Sequence, residues 1–503
     1  MSIIIDKSLL DTDGTPSSKL LMKCIDQHQK LIEKYKKMNN YYDGEHEIKN
    51  RTLSSTSLPN NQLVCNHAEY ITDMAVGYVF GCPINYSSNS KKVEEKSNST
   101  IKNTIKDKIK SIFNKTTKSV TSTSPIDEIN DIFTEIDEDS HNNEIALDIS
   151  INGLGYELVY MNIEEIPYPE LAVLDPKETF LVVDNTVKHN TLFAVHYYPK
   201  NDIDGKVEAY YVELYLVDKK IVYQFKDLKS TTYEGVAEEE EHYFDGVPVI
   251  EYKNNKKCKG DFEGVISLID AYNLLQSDRV NDKQQLVDAL LAVMGASFGD
   301  NEKEMTETAK LLKSMKILEL PEGGDAKWLV KNLNETEIEV LKTSLKDDIH
   351  EFSKVPCLTD KNFIGNASGV AMKYKLLGFE QLGKTKERYF KKGLRQRFKL
   401  ISNVENIRAK NIDPASIDIV MKRSLPVDDE LLAKIAKETE GFISWETRLS
   451  RFDAELDAEK EKQLLEEEKK KNVEMQRAAF GNYSTPDGSG NLDEEDLDED
   501  KIE

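Results

Sequence analysis

The segment GFEQLGKT, residues 378–385, has the residue types and spacing of a phosphate-binding loop. In ATPases and GTPases such a loop follows a buried strand and precedes a helix. Its glycines let backbone N–H groups approach the phosphate oxygens, and its lysine, here Lys384, contacts the phosphates. A nucleotide-driven enzyme is therefore one hypothesis for this chain.

The residues around the segment predict a helix rather than a strand and a loop. At roughly 100° per residue, one half of the helical wheel collects the apolar side chains. They are Met372, Leu376, Phe379, Leu382, Phe390, Leu394, Phe398 and Ile401. Two of these, Phe379 and Leu382, lie inside the motif. No apolar run that ends in an acid, as a Walker B strand has, follows downstream, so the sequence argues against the ATPase hypothesis.

The opposite face of the predicted helix carries a row of basic residues, to which Lys384 belongs. This basic row consists of Lys373, Lys384, Arg388, Lys391, Lys392, Arg395 and Lys399. Gly378, Gly383 and Gly393 interrupt the helix, and a glycine in a helix interior costs about 1 kcal/mol relative to alanine. Such glycines predict a kink or the close approach of a neighbouring backbone.

Composition excludes several other classes. The 503-residue chain has 91 acids against 67 Lys and Arg, a formal charge of −24, whereas a free nucleic-acid binder is usually basic. No stretch approaches the roughly 18 apolar residues of a membrane span, and the N-terminus does not have the pattern of a signal peptide. Five scattered cysteines indicate a reducing compartment. Cysteine and histidine spacing predicts no metal site, and we expect no cofactor.

The remaining pattern predicts an α+β chain. Residues 1–24 resemble a flexible arm, and 25–261 combine helices with a β-rich region. Within them, 87–125 holds nine lysines and three acids and predicts a mobile basic loop. Next come a helix at 262–293, a small mixed unit at 294–334 and a helix at 335–354. A loop at 355–367 precedes a long helix at 368–408. The segment 409–460 is helical after Pro426, and 461–503 holds a charged helix with a disordered acidic tail.

Several longer stretches resemble one family. They are YYDGEHEIKNR (41–51), PNNQLVCNHAEYITDMAVGYVFGCPINY (59–86), VPVIEYKNN (247–255), GDFEGVISLIDAYNLLQSDRVNDKQQLVDALLAV (260–293), SGVAMKYKLLGFE (368–380) and GFISWETRLSRF (441–452). In this order they are similar to the portal proteins of tailed bacteriophages with long non-contractile tails. The resemblance runs from about residue 25 to residue 460.

The resemblance implies the portal fold and a dodecameric ring around a DNA channel. Residues 25–261 correspond to an α/β wing, and 262–293 and 335–354 to two stem helices. Between the stem helices, 294–334 corresponds to the clip. The tunnel loop is 355–367, the long kinked wing helix is 368–408 and the helical crown is 409–460.

The resemblance also implies a non-enzymatic function. The ring occupies one capsid vertex, conducts double-stranded DNA during packaging and ejection, and docks the terminase large subunit and later the head-completion or adaptor proteins. Major capsid and scaffolding proteins are further implied partners. The resemblance also implies assembly in the bacterial host cytoplasm and a finished ring that is part of the virion. An acidic chain suits such a conduit, because tight phosphate binding impedes sliding. The alternatives are a P-loop ATPase of the packaging-motor kind and a capsid shell or scaffolding protein.

The resemblance places candidate functional residues along the channel. In the tunnel loop, Lys361 and Asn362 are candidates for contact with DNA phosphates. In the first stem helix, Asp278, Asp282 and Lys283 are polar candidates, with salt bridges between subunits as the simpler interpretation. For the basic row we keep two hypotheses, pairing with acids of a neighbouring subunit and contact with DNA. Trp328 and Trp445 are predicted packing anchors of the clip and the crown.

Overall fold

The structure, a computed structural model, contains two compact units, Met1–Ser424 and Leu425–Glu503. The structure describes residues 2–53, 59–88, 125–162, 167–229, 232–233, 235–287, 290–294, 301–315, 325–329, 335–358, 374–407, 412–424, 429–452 and 458–480. Most of the predicted basic loop at 87–125 and the acidic tail lie outside these residues.

The first unit mixes helices and strands. Its strands are β1 Ile3–Ile5, β2 Asn85–Ser88, β3 Leu154–Met161, β4 Pro169–Leu174, β5 Thr179–Asp184, β6 Thr191–Asn201, β7 Val207–Tyr215, β8 Lys219–Phe225, β9 Gly235–Glu241, β10 Val249–Lys253, β11 Leu290–Met294, β12 Asp325–Leu329 and β13 Ile417–Val420. Its helices are α1 Ser18–Tyr42, α2 His67–Phe80, α3 Pro125–Glu135, α4 Glu138–Asn152, α5 Ile266–Val287, α6 Glu302–Met315, α7 Glu335–Ser353 and α8 Leu377–Ile407.

A six-stranded sheet has the order β1-β5-β6-β7-β8-β9. Its strands from β5 to β9 pair antiparallel with their neighbours, as expected for hairpins that follow one another along the chain. A second sheet has the order β10-β3-β4, while β2 pairs with β13 and β11 with β12. The predicted β-rich region is therefore confirmed.

The prediction that residues 1–24 form a flexible arm is wrong. Strand β1 pairs in parallel with β5, so that Ile3 faces Val182 in register. Ser17 caps helix α1 by accepting a hydrogen bond from the Leu20 N–H at 3.4 Å, and Leu21 is buried. The three consecutive isoleucines form a strand because their partner, about 180 residues later, offers an unpaired edge; no local pattern reveals that partner.

The first predicted stem helix extends too far. Helix α5 ends at Val287, and residues 290–294 form β11, which pairs antiparallel with β12. A short apolar run such as LLAVM is compatible with a helix or with a buried strand, because periodicity alone cannot distinguish them. The mixed unit after it contains α6 and β12, and α7 confirms the predicted helix at 335–354.

Helix α8 confirms the predicted long helix over the described part of its range. Its apolar stripe joins the main core, where Phe379, Phe390, Leu394 and Phe398 are buried. Full burial of one such side chain stabilises the fold by about 1.5–3 kcal/mol. Two of its glycines allow close packing, because an added Cβ at Gly393 would overlap the Tyr252 ring and one at Gly383 would lie 3.3 Å from Tyr78.

The predicted helices after Pro426 are confirmed, but a strand precedes them within 409–460. Ile417–Val420 is strand β13 of the first unit, pairing with β2. The second unit contains helices α9 Asp429–Glu438, α10 Trp445–Phe452 and α11 Ala458–Phe480. Trp445 is half-buried at the start of α10, and most described side chains of α11 are exposed, as its charged composition predicts.

Candidate functional site

The GFEQLGKT segment lies within α8 and forms no phosphate cradle. After the first turn of a helix the backbone N–H groups donate to carbonyls four residues earlier, as the Glu380 N–H does to the Leu376 carbonyl at 2.8 Å, so they are not free to bind phosphate oxygens. The Thr385 hydroxyl likewise donates to the Gln381 carbonyl at 3.0 Å. Lys384 Nζ lies 3.6 Å from Glu380 Oε1, one turn away. The segment therefore has a structural role in this helix.

Helix α8 is fixed to the core by a buried arginine that the sequence analysis did not single out. Arg397 is fully buried; its Nε donates to Glu157 Oε2 at 3.0 Å and its Nη2 to Glu157 Oε1 at 2.5 Å. Arg397 Nη1 also pairs with Glu138, and Nη2 donates to Asn142 Oδ1 at 2.8 Å. One side chain thus connects α8 with α4 and β3.

Neighbouring polar groups complete this cluster, which we call the Arg397 cluster. The Tyr252 hydroxyl donates to Glu157 Oε2 at 3.0 Å, and His141 Nε2 lies 2.7 Å from Glu157 Oε1. Burial alone would raise the pKa of Glu157, but the charge of Arg397 and the hydrogen bonds with His141 and Arg397 outweigh it and hold the pKa at about 2. The carboxylate is therefore ionised and satisfied inside the core.

A second buried cation lies nearer the start of α8. Lys386 Nζ donates to Asp261 Oδ2 at 2.5 Å and to Ser150 Oγ at 2.7 Å. Burial lowers the pKa of Lys386, while the Asp261 carboxylate opposes this shift. The sequence did carry a signal for both cations, because Lys386 and Arg397 fall on the apolar side of the wheel, where a charge requires a partner.

The polar stem candidates have partners within the chain. Asp278 Oδ1 lies 2.7 Å from Arg51 Nη1, and Lys283 Nζ lies 3.1 Å from Glu335 Oε1 on α7. Asp282 is half-buried on the same helix. Asp278 and Lys283 thus form pairs within one subunit, and salt bridges between subunits stay a prediction.

Helices α5 and α7 run antiparallel. Arg279 Nη1 contacts Glu339 Oε2 at 2.9 Å, and four residues further along α5 Lys283 contacts Glu335, four residues earlier in α7. Helix α5 has 22 residues and is therefore about 33 Å long. The strand pair β11–β12 follows at the far end. At the near end, Ile269 of α5 and Ile349 of α7 are fully buried, so the pair begins in the core.

The basic row separates into paired and unpaired members. Lys384 pairs with Glu380, and Lys391 Nζ lies 2.6 Å from Glu387 Oε1. Among the residues that the structure describes, no carboxylate lies within 4.0 Å of the other four, which are exposed: Arg388, Lys392, Arg395 and Lys399. These four cations remain available for a partner outside the described part of the subunit.

The remaining candidates belong to the predicted tunnel loop, the start of the basic row and the clip. Lys361, Asn362 and Lys373 lie outside the described residues. Trp328 lies on β12 opposite Leu291.

Over the described ranges no group of three or more His, Cys, Asp or Glu side chains could hold a metal ion. Within those same ranges no helix is long and apolar enough to cross a membrane.

The chain matches one family model over most of its length. The match covers residues 21–475, and the family is described as phage portal protein, SPP1 Gp6-like. The chain therefore belongs to this phage portal protein family. The match includes every described strand except β1, the α5–α7 pair and all of α8.

Two relatives agree with this assignment. The chain is 25% identical to the portal protein of Bacillus phage SPP1 over 518 aligned residues, which cover 96% of this chain and 91% of that protein. It is 24% identical to the portal protein of Clostridium phage phiCD119 over 322 residues, which cover 62% of this chain and 69% of that protein. The family resemblance of the quoted motifs is thereby confirmed.

Proposed function

We propose that the chain assembles into a closed ring, twelve-fold as its family resemblance implies, whose central channel conducts double-stranded DNA into and out of the capsid. The observation that carries the proposal is the antiparallel pair α5–α7, which begins in the core and ends in the strand pair β11–β12. Such pairs side by side around an axis would form a tube. The portal family membership of the chain supports this arrangement.

The exposed face of α7 suits a channel through which DNA slides. It presents Thr336, Val340, Thr343, Ser344 and Asp347, which are hydroxyl, apolar or acidic. None of these side chains can neutralise a phosphate, and each neutralised phosphate would tighten the grip on DNA and slow its movement. Asp278, Asp282 and Lys283 remain candidates for the channel wall.

The remaining roles follow from the proposed ring. The clip, which includes α6, β11 and β12, docks the terminase large subunit and later the head-completion or adaptor protein. Major capsid and scaffolding proteins surround the ring at one capsid vertex. Assembly takes place in the bacterial host cytoplasm, and the finished ring is part of the virion. The chain itself is not an enzyme, and the ATPase of another protein drives the DNA through the channel. Lys361 and Asn362 contact the phosphates of the DNA as it moves.

Electron microscopy of the purified full chain, with particle mass from light scattering, tests this function. A ring of about twelve subunits with a central opening is the expected result. Closed shells would instead support the capsid shell alternative. ATP hydrolysis that disappears in a Lys384→Ala variant would support the motor alternative, and a chain that stays monomeric at all concentrations would contradict the ring.

A further inference from the structure

A basic cleft lies at one edge of the six-stranded sheet. Its volume is about 590 Å³, and its walls come from the β1–β5 edge, the β5–β6 turn, β10 and α8. The lining includes four lysines, Lys188, Lys253, Lys256 and Lys392, and a single carboxylate, Glu251. In a chain with a formal charge of −24 this local excess of positive charge is unusual.

The one carboxylate of the cleft is already satisfied. Glu251 Oε2 lies 2.8 Å from Lys253 Nζ, and the Ser2 hydroxyl donates to the same carboxylate at 3.0 Å. Lys188, Lys256 and Lys392 are exposed, and no described carboxylate lies within 4.0 Å of them. The cleft therefore presents three cations without a partner.

The opposite edge of the same sheet has the complementary charge. Strand β9 is the outermost strand there and ends in four consecutive glutamates, Glu238–Glu241, all exposed. Lys219 Nζ of the adjacent strand lies 3.0 Å from Glu239 Oε1. The other three, Glu238, Glu240 and Glu241, have no described cation within 4.0 Å.

Exposed apolar side chains flank both edges. Beside the cleft, Ile4 is 57% exposed and Val187 is fully exposed, at 100%. Beside the acidic strand, Val236 is 50% and Tyr243 is 68% exposed. Each edge thus offers both charge and apolar area, the composition of a surface that contacts another protein rather than of a purely solvated edge.

The positions of the two surfaces match a head-to-tail contact. Five strand spacings separate β1 from β9, about 24 Å across the sheet at roughly 4.8 Å per spacing. Two different, complementary patches at opposite edges cannot meet within one subunit. Between identical subunits they produce a heterologous contact, which repeats and closes into a ring when the rotation allows it.

We propose that the basic cleft of one subunit receives the acidic strand β9 of the next copy of this chain, so that Lys188, Lys256 and Lys392 pair with Glu238, Glu240 and Glu241. This inference rests on the proposed ring and names the surfaces that connect its members. It also gives Lys392 of the basic row a specific partner. The contact strengthens at low ionic strength, because exposed charges are screened by salt.

Charge reversal in the full-length chain tests the pairing. Lys188→Glu with Lys392→Glu, and separately Glu238→Lys with Glu240→Lys, should each lower the ring fraction at least tenfold at equal concentration. Combining all four changes should restore it, because the charges are exchanged and not removed. The matched control is Lys23→Glu with Lys206→Glu, which has the same change in charge at exposed sites outside both surfaces and should assemble normally. Circular dichroism checks that each variant is folded.

The outcomes separate this inference from the ring itself. Normal rings in both reversed variants would overturn the pairing and leave the ring intact. Rings that assemble normally but lose DNA retention in the cleft variant would show that the cleft binds DNA, which also overturns the pairing. A wild-type chain that stays monomeric would overturn the ring and the pairing together. Zero-length carbodiimide cross-linking should join β9 glutamates to cleft lysines in the ring fraction and not in monomers.

Discussion

Replacement of Arg397 by methionine should destabilise the protein strongly. The change keeps much of the side-chain volume but leaves Glu157 and Glu138 in the core without their cation. Removing one partner of a buried pair typically costs about 3–5 kcal/mol. The pKa of Glu157, held at about 2 against an ordinary value of 4.5, gives a similar magnitude, roughly 3–4 kcal/mol at 1.4 kcal/mol per pKa unit.

The pH dependence provides a second readout of the same change. In the wild type the folded-state pKa of Glu157 is below its unfolded value, so its contribution is complete above about pH 4.5 and is lost as the pH falls toward 2. In the variant, burial without the cation raises the folded-state pKa. The sign then reverses, and the variant should regain stability relative to the wild type as the pH is lowered from 8 to 5.

Urea unfolding followed by circular dichroism, at a protein concentration below that of assembly, measures both effects. Lys399→Met is the matched control, because Lys399 is exposed on the same helix and has no described carboxylate within 4.0 Å. Its free energy of unfolding should change by less than about 0.5 kcal/mol. If Arg397→Met were as mild as this control, or if its loss of stability did not depend on pH, the argument from the buried charge would be refuted.

The remaining predictions concern packing and the second buried cation. Lys386→Met should cost about 3–5 kcal/mol because the buried Asp261 loses its partner, whereas Lys384→Met, two residues away and exposed, should be nearly neutral in the same urea assay. Gly393→Ala should destabilise the protein by about 1–3 kcal/mol, because the added Cβ would overlap the Tyr252 ring. Gly378→Ala, where an added Cβ would have nothing within 4 Å, should stabilise it by up to about 1 kcal/mol. A change of the same sign in the free energy of unfolding for both variants would contradict the close approach of Gly393 to Tyr252. Ile3→Ala should lower the free energy of unfolding by about 2–5 kcal/mol, because Ile3 is buried. Ile4→Ala should lower it by less than about 0.5 kcal/mol, because Ile4 is 57% exposed. Equal losses in thermal or urea unfolding would mean that β1 does not pack as described.

The periodicity of the sequence predicted the helices well. The apolar stripe from Phe379 to Ile401 established that GFEQLGKT lies in a helix, because a period of 3.6 residues over such a length has no alternative interpretation. The same pattern placed the exposed members of the basic row correctly. The quoted motifs also established the family. These features depend on residues close together in the chain.

The tertiary structure decided what depends on distant partners. Strand β1 exists because β5 offers it an edge, and LLAVM is a strand because β12 pairs with it. The roles of Arg397 and Lys386 likewise require carboxylates from other elements. A helical wheel shows only that these two cations lie on the apolar face of the helix. The basic cleft and the acidic strand became opposite edges of one sheet only through the strand order. A sequence specifies which side chains an element carries, but the pairing of elements specifies which charges meet.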